Sequence, residues 1–184
     1  GGVRGGQVVQ RGGGVGCDAI EMMCGPQAHV RSGEITDARL RDVRRLCDDH
    51  GLSICVINPF AGPGLYQLAV EAPQRAIDHY TLLQDVALAL GASGVNFLTG
   101  YGAERGDAHA WRLLVDVLRP ICERAARLGL TMNIHNHEAT TIDAPDKVRL
   151  LVRHVGSPAL RLLNDITYFY HLGSDIERTT RELA

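Results

Sequence analysis

The sequence predicts an α/β fold: a parallel sheet whose strands are joined by helical crossovers. Three observations carry that expectation. Short β-type runs alternate with longer runs of helical periodicity. The β-type runs begin near residues 17, 53, 94, 131 and 160, at steps of 36, 41, 37 and 29 residues. Glycine closes the helical runs at Gly51, Gly91 and Gly129. Units of strand plus helix at that spacing bring the chain back to the same end of a sheet, as parallel strands require. An open doubly wound sheet and a (β/α)8 barrel both satisfy this. No GxGxxG follows a strand, so the dinucleotide-binding version lacks its main mark. The run Gly12-Gly13-Gly14-Val15-Gly16 precedes a strand, the wrong side for a phosphate loop.

Each element has a local reason. The first strand is Cys17 to Met22. A helix over Asp37–His50 comes next, with Thr36 as N-cap and Leu40, Val43 and Cys47 on one face. Ser53 to Ile57 is the second strand. The next helix, Pro73 to Leu90, carries the stripe Ile77, Tyr80, Leu83, Ala87 and Leu90. Gly94 to Leu98 is the third strand, and Ala108 to Leu128 a long helix bearing Trp111, Leu114, Leu118, Ile121 and Ala125. Thr131 to His135 is the fourth strand. Asp143 and Pro145 start a helix that ends near Val155. Leu160 to Asp165 is the fifth strand, and Ser174 to Glu177 has the spacing of a capping box for a last helix.

Composition narrows the class. The chain has 184 residues, 45% hydrophobic and 22% charged, as expected of a globular domain. No apolar run is long enough to span a membrane. A net charge of -2 argues against a nucleic-acid footprint. Eight glycines and no acid fall in the first sixteen residues, a stretch with little apolar surface to bury. The single lysine, Lys147, stands against eighteen arginines, which reads as codon bias. Cys17, Cys24, Cys47, Cys55 and Cys122 are odd in number and form no CxxC, and no signal-peptide pattern is present. They read as reduced structural thiols of a cytoplasmic protein.

In either architecture ligands meet the C-terminal ends of the strands. There the first strand offers Glu21. The second offers Asn58, followed by Pro59 to Gly64, and the third Thr99-Gly100-Tyr101-Gly102. The fourth offers His135-Asn136-His137-Glu138. The fifth offers Asp165, then Thr167, Tyr168 and His171. Glu21 lies in an apolar strand, where a carboxylate needs a partner: a substrate, or an arginine nearby. His135 and His137 are two apart on a strand and so point the same way. That suits a divalent ion, a substrate oxygen, or a hydrogen-bonded pair at a strand end. Asp165 can ligate a metal or cap the next loop. Tyr168 and His171 serve either loop packing or substrate. The remaining histidines read as surface or satisfied residues.

These residues resemble a family. Gly16-Cys17-Asp18-Ala19-Ile20-Glu21-Met22 is similar to the second-strand pattern of the sugar phosphate isomerase/epimerase family, the xylose isomerase-like TIM barrels. Leu128 to His137 resembles that family's fifth strand. Gly156-Ser157-Pro158 through Asp165, with Gly173-Ser174-Asp175, resembles its sixth. The resemblance covers residues 16–184. It implies a partial (β/α)8 barrel, about strands two to six with their helices, preceded by an irregular glycine-rich segment over 1–15. The counterparts of the seventh-strand histidine and eighth-strand glutamate are missing, so the activity belongs to the complete barrel.

The resemblance further implies a divalent metal (Mn, Co, Mg or Zn) held by His135 and Asp165, in a ligand set incomplete in this chain. Glu21 and His135 become catalytic, while His137, Asn58, Tyr168 and His171 contact substrate. The family usually has glutamate where this chain has His135, and often histidine where it has Tyr168. The implied reaction is isomerisation or epimerisation of a small sugar, keto-sugar or sugar phosphate through an enediolate. Two alternatives stand beside it: an inosose-dehydratase-like lyase on a cyclic polyol or keto-sugar, and a degenerate barrel that binds carbohydrate without chemistry. A TIM-barrel amidohydrolase is set aside, because its HxH pair lies on the first strand. The distant DNA-repair endonucleases of the family are not favoured by the charge. A small-molecule sugar or polyol is the expected partner, with no nucleic acid and no membrane, and a homo-oligomer is left open.

Overall fold

A computed structural model describes residues 3–25, 28–59, 64–100, 108–137 and 140–183. Its elements in chain order are α1 (Val3–Gly14), β1 (Ala19–Met23), α2 (Asp37–Asp49), β2 (Ser53–Asn58), α3 (Leu65–Glu71), α4 (Pro73–Leu90) and β3 (Gly94–Phe97). They continue with α5 (Ala108–Leu128), β4 (Thr131–His135), α6 (Pro145–Val155), β5 (Leu160–Leu163), α7 (Ile166–His171) and α8 (Ile176–Leu183). The chain forms two compact units. The first comprises residues 1–62 and 82–95, the second residues 63–81 and 96–184, so α4 and β3 each contribute to both. All paired strands are parallel. Parallel strands with intervening helices are the α/β arrangement of a partial TIM barrel.

In the first unit β1 pairs with β2, and Ile57 of β2 meets Val95 of β3. The β1–β2 register shifts between Ile20 and Glu21, leaving Cys55 as an extra residue on β2. Leu40, Val43 and Cys47 of α2 are buried, as their spacing demands, together with Ile54 and Ile57. Thr36 caps α2 through its hydroxyl, which accepts from the Arg39 amide at 3.2 Å.

The segment expected to be irregular is instead largely α1. Val9 is buried, and the glycines serve close packing: a Cβ on Gly12 would stand 3.3 Å from Leu52 Cδ1, and one on Gly13 3.2 Å from the His50 carbonyl. The missing side chains let the helix end lie against the α2–β2 turn. Composition alone does not reveal that contact.

In the second unit β4 pairs with β5 in the register Met132↔Leu160, Asn133↔Arg161, Ile134↔Leu162, His135↔Leu163. The Asn133 amide donates to Asn96 Oδ1 of β3 at 3.0 Å. Met132, Ile134 and Leu160 are buried, as are Leu114, Leu118, Ile121 and Ala125 of α5. The opposite face of β4, Asn133 and His135, is half-buried.

β5 ends at Leu163, two residues short of the expected strand, because Asp165 turns to cap α7, its Oδ1 accepting from the Thr167 amide at 3.0 Å. The last helix is capped by Asp175 rather than Ser174, through Oδ1 accepting from the Arg178 amide at 3.0 Å.

Candidate active site

The second unit gathers the histidine pair and the aspartate that the sequence singles out. His135 is the last residue of β4, and Asp165 stands between β5 and α7. His135 Nε2 lies 3.4 Å from Asp165 Oδ2, with the two side chains 24% and 30% exposed. They are sheltered enough for electrostatics to matter and open enough to admit a ligand.

His137 lies beyond the end of β4. Its ring is 6.2 Å from that of His135 and 4.0 Å from that of Tyr168 on α7, tilted by 39°. Tyr168 is in turn 6.2 Å from His135. Two imidazoles, a phenol and a carboxylate therefore share one end of the β4–β5 pair. The phenol and the carboxylate come from α7 and its N-cap, a helix too short to show periodicity.

The two oxygens of Asp165 divide their partners: Oδ1 holds the first turn of α7 and Oδ2 faces His135. Burial alone would raise this carboxyl's pKa. The hydrogen bond from His135, those from the Thr167 amide and hydroxyl, and the charge of His135 outweigh it and hold the pKa below its ordinary value. Asp165 is thus an ionised acceptor at neutral pH.

Asn136, between the two histidines, points the other way and is fully buried. Its Nδ2 donates to the Asp165 carbonyl at 2.9 Å, and its Oδ1 accepts from the Asp165 amide at 2.9 Å. Among the candidate site residues drawn from the sequence, Asn136 had no role. The signal was available in strand parity, since the middle residue of His-Asn-His must face the protein when its neighbours face outward.

The first unit holds Glu21 and Asn58. Glu21 is half-buried on β1, and its Oε1 accepts from Asn58 Nδ2, at the end of β2, at 2.8 Å. A side-chain amide thus meets this carboxylate. His171 is exposed at the far end of α7, its ring 6.0 Å from that of Tyr170. No hydrogen bond or ring contact among the described residues joins it to His135, His137 or Tyr168. Phe60 to Pro63, Tyr101, Gly102 and Glu138, also named from the sequence, lie outside the described residues.

By donor type His135 and Asp165 suit a divalent ion: a neutral imidazole nitrogen and an ionised carboxylate. By number they fall short. Among the described residues no group of three or more His, Cys, Asp or Glu side chains could hold a metal. The pair fits as two members of a larger ligand set. No helix among the described residues is long and apolar enough to cross a membrane.

Parallel strands with helical crossovers, and imidazole and carboxylate groups at the C-terminal strand ends, define an α/β protein of the partial TIM-barrel type. Residues 14–182 match the family model described as xylose isomerase-like TIM barrel, and the chain belongs to that family.

Solved structures agree on the fold. D-psicose 3-epimerase in the presence of D-fructose superposes with a TM-score of 0.81 at 18% identity, over 97% of this chain and 64% of that one. A xylose isomerase-like TIM barrel protein from Mycobacterium smegmatis in complex with magnesium gives 0.80 at 18% identity, over 100% and 64%. A 3-keto-D-glucoside 4-epimerase from E. coli gives 0.80 at 11% identity, over 97% and 70%. The chain thus spans about two thirds of the length of these structures. No curated protein matches the sequence.

Proposed function

We propose that this chain carries part of the working site of a metal-dependent isomerase or epimerase acting on a small sugar, keto-sugar or sugar phosphate. The observation that carries the reading is the His135–Asp165 pair, two donors of suitable type 3.4 Å apart at the C-terminal end of parallel strands. The epimerase and magnesium-bound neighbours support it at the level of fold.

In this reading a divalent ion (Mn, Co, Mg or Zn) held by His135, Asp165 and further ligands supplies stabilisation of the charge that develops on a carbonyl oxygen. The chain's own residues do the rest. The lowered pKa of Asp165 keeps its carboxylate ionised. His135 acts with it as a ligand, and Glu21, whose Oε1 accepts from the Asn58 amide, is the proposed carboxylate base. His137 and Tyr168, their rings in tilted contact, form a polar wall for hydroxyl groups. Asn58 and His171 complete the proposed substrate contacts. We place the protein in the cytoplasm, in keeping with its five free cysteines.

The test is proton exchange. The protein with Mn2+ and D-fructose, or D-fructose 6-phosphate, in D2O is expected to lose the NMR signal of a C–H adjacent to the carbonyl. His135→Ala and Asp165→Ala should each abolish the loss. Exchange that proceeds unchanged in both variants overturns the reading. Sugar binding with no exchange marks a carbohydrate-binding barrel instead. One observation favours a second reading: where family members usually have a glutamate, this chain has His135, so a carboxylate base is lost at that position. If an inosose loses water under the same conditions, the protein is a lyase.

A further inference from the structure

The β4–β5 ladder stops at His135↔Leu163, yet Asp165 is held in place two residues later. The carboxamide of Asn136 presents one donor and one acceptor to the carbonyl and amide of this single residue, both at 2.9 Å, and shares the amide with the Leu163 carbonyl at 3.0 Å. A peptide group in a ladder offers the same two functions. Asn136 is fully buried, so its amide has no water to exchange these bonds for, and Asp165 has both backbone groups committed.

We propose that Asn136 is the positioning residue of the site: a side-chain surrogate for one more rung of the sheet, which sets the separation of His135 Nε2 and Asp165 Oδ2. The inference rests on the reading of those two residues as the working pair. Its consequence reaches further along the chain. With its backbone locked, Asp165 can turn Oδ1 to the Thr167 amide and Oδ2 to His135 at once. The start of α7, and with it Tyr168 against His137, hangs on the same clamp.

The substitutions are Asn136→Ala, which removes both bonds, and Asn136→Asp, which keeps the acceptor and sets a carboxylate oxygen against the Asp165 carbonyl. Val148→Ala, a truncation of a buried α6 residue, serves as a destabilised control with the clamp intact. Three readouts apply: Co2+ affinity by titration, hydrogen exchange of the Asp165 amide, and the 15N shift of His135 Nε2 at fixed pH.

Both Asn136 variants are expected to bind Co2+ about 10–100-fold more weakly, in the range of losses seen for residues that orient metal ligands. Asn136→Ala should also exchange the Asp165 amide at least tenfold faster and move the His135 Nε2 shift toward that of a free imidazole. Val148→Ala should change none of these. Native Co2+ affinity and an unmoved His135 shift in Asn136→Ala overturn the inference, as does an equal loss in Val148→Ala. If the wild-type protein binds no Co2+, the metal reading fails by itself, and the His135 shift in Asn136→Ala still decides whether Asn136 sets the pair.

Discussion

His79 sits on α4 with its ring edge-on to Tyr80 at 5.2 Å, and its Nε2 is buried without a hydrogen-bond partner among the described residues. Burial lowers its pKa below the ordinary 6.5, since a charged imidazole there would lose its hydration. The unfolded chain binds the proton at about 6.5 and the folded chain resists it. Stability is therefore unaffected by this group above that pH and falls as pH drops from 6.5 toward the lower folded value. His79→Leu should flatten the fall, which urea unfolding at pH 7.5 and 5.5 will measure. An equal acid loss in the variant places the liability elsewhere.

Asp165 is the complementary case, a carboxyl with lowered pKa. Its contribution is fully present above the ordinary carboxyl value of 3.8 and disappears only as pH falls through the folded pKa beneath it. Asp165→Ala also removes the cap of α7, a loss of about 1 kcal/mol at neutral pH. The parity of His135 and His137 and their place at a strand end could be read from the residues alone. Asn136 could not be assigned its partner, because a buried amide that bonds the backbone just past the end of a neighbouring strand is defined by register.

At the scale of elements, long helices were legible where a stripe and a closing glycine agree: α4 and α5 have the expected bounds. Short ones were not. α3 and α7 have seven and six residues, less than two turns, so no periodicity accumulates. Trp111, expected on the buried stripe of α5, sits at its edge, where Nε1 donates to His154 Nδ1 at 2.9 Å; an indole N–H needs an acceptor that a fully apolar stripe lacks.

The approach of α3 to the end of β3 depends on two glycines. A Cβ on Gly64 would fall 2.5 Å from Gly100 Cα, and one on Gly100, at φ +104°, 2.3 Å from Gln67 Oε1. Gly129, at φ +70°, has nothing within 4 Å of its Cβ position. Gly129→Ala should thus cost about 1 kcal/mol, the left-handed conformation alone. Gly64→Ala forces backbone apart and should cost more, about 2–4 kcal/mol, in line with overpacking plus displaced hydrogen bonds. Those bonds are the amides of Leu65 and Tyr66 on the carbonyls of Leu98 and Thr99. Equal losses in denaturant would mean that α3 moves freely and that the close approach contributes nothing.

For the whole molecule, the five thiols report on packing in both units at once. Cys17 and Cys55 are exposed, whereas Cys24, Cys47 and Cys122 are buried. Cys24 and Cys47 belong to the first unit and Cys122 to the second. Burial pushes the Cys24 thiol up to about 12, and burial with the nearby Glu123 charge does the same for Cys122. Burial and Asp48 together raise Cys47 against the opposing effect of Arg44. Since the thiolate is the reacting species, these three are protected twice, by exclusion of the reagent and by protonation. In native protein at pH 8 a disulfide reagent should therefore consume two thiols quickly and the other three only as the chain opens. Raising the pH to 10 should not add a third. Above pH 9 the unfolded thiols ionise while the buried ones do not, so stability declines with rising pH in that range. Pulsed alkylation read by mass at each cysteine then tracks the opening of each unit separately. A native count above two would contradict the packing of the unit to which the extra thiol belongs. A third thiol at Cys122 would implicate the α5 face that backs β4, and with it the support of His135.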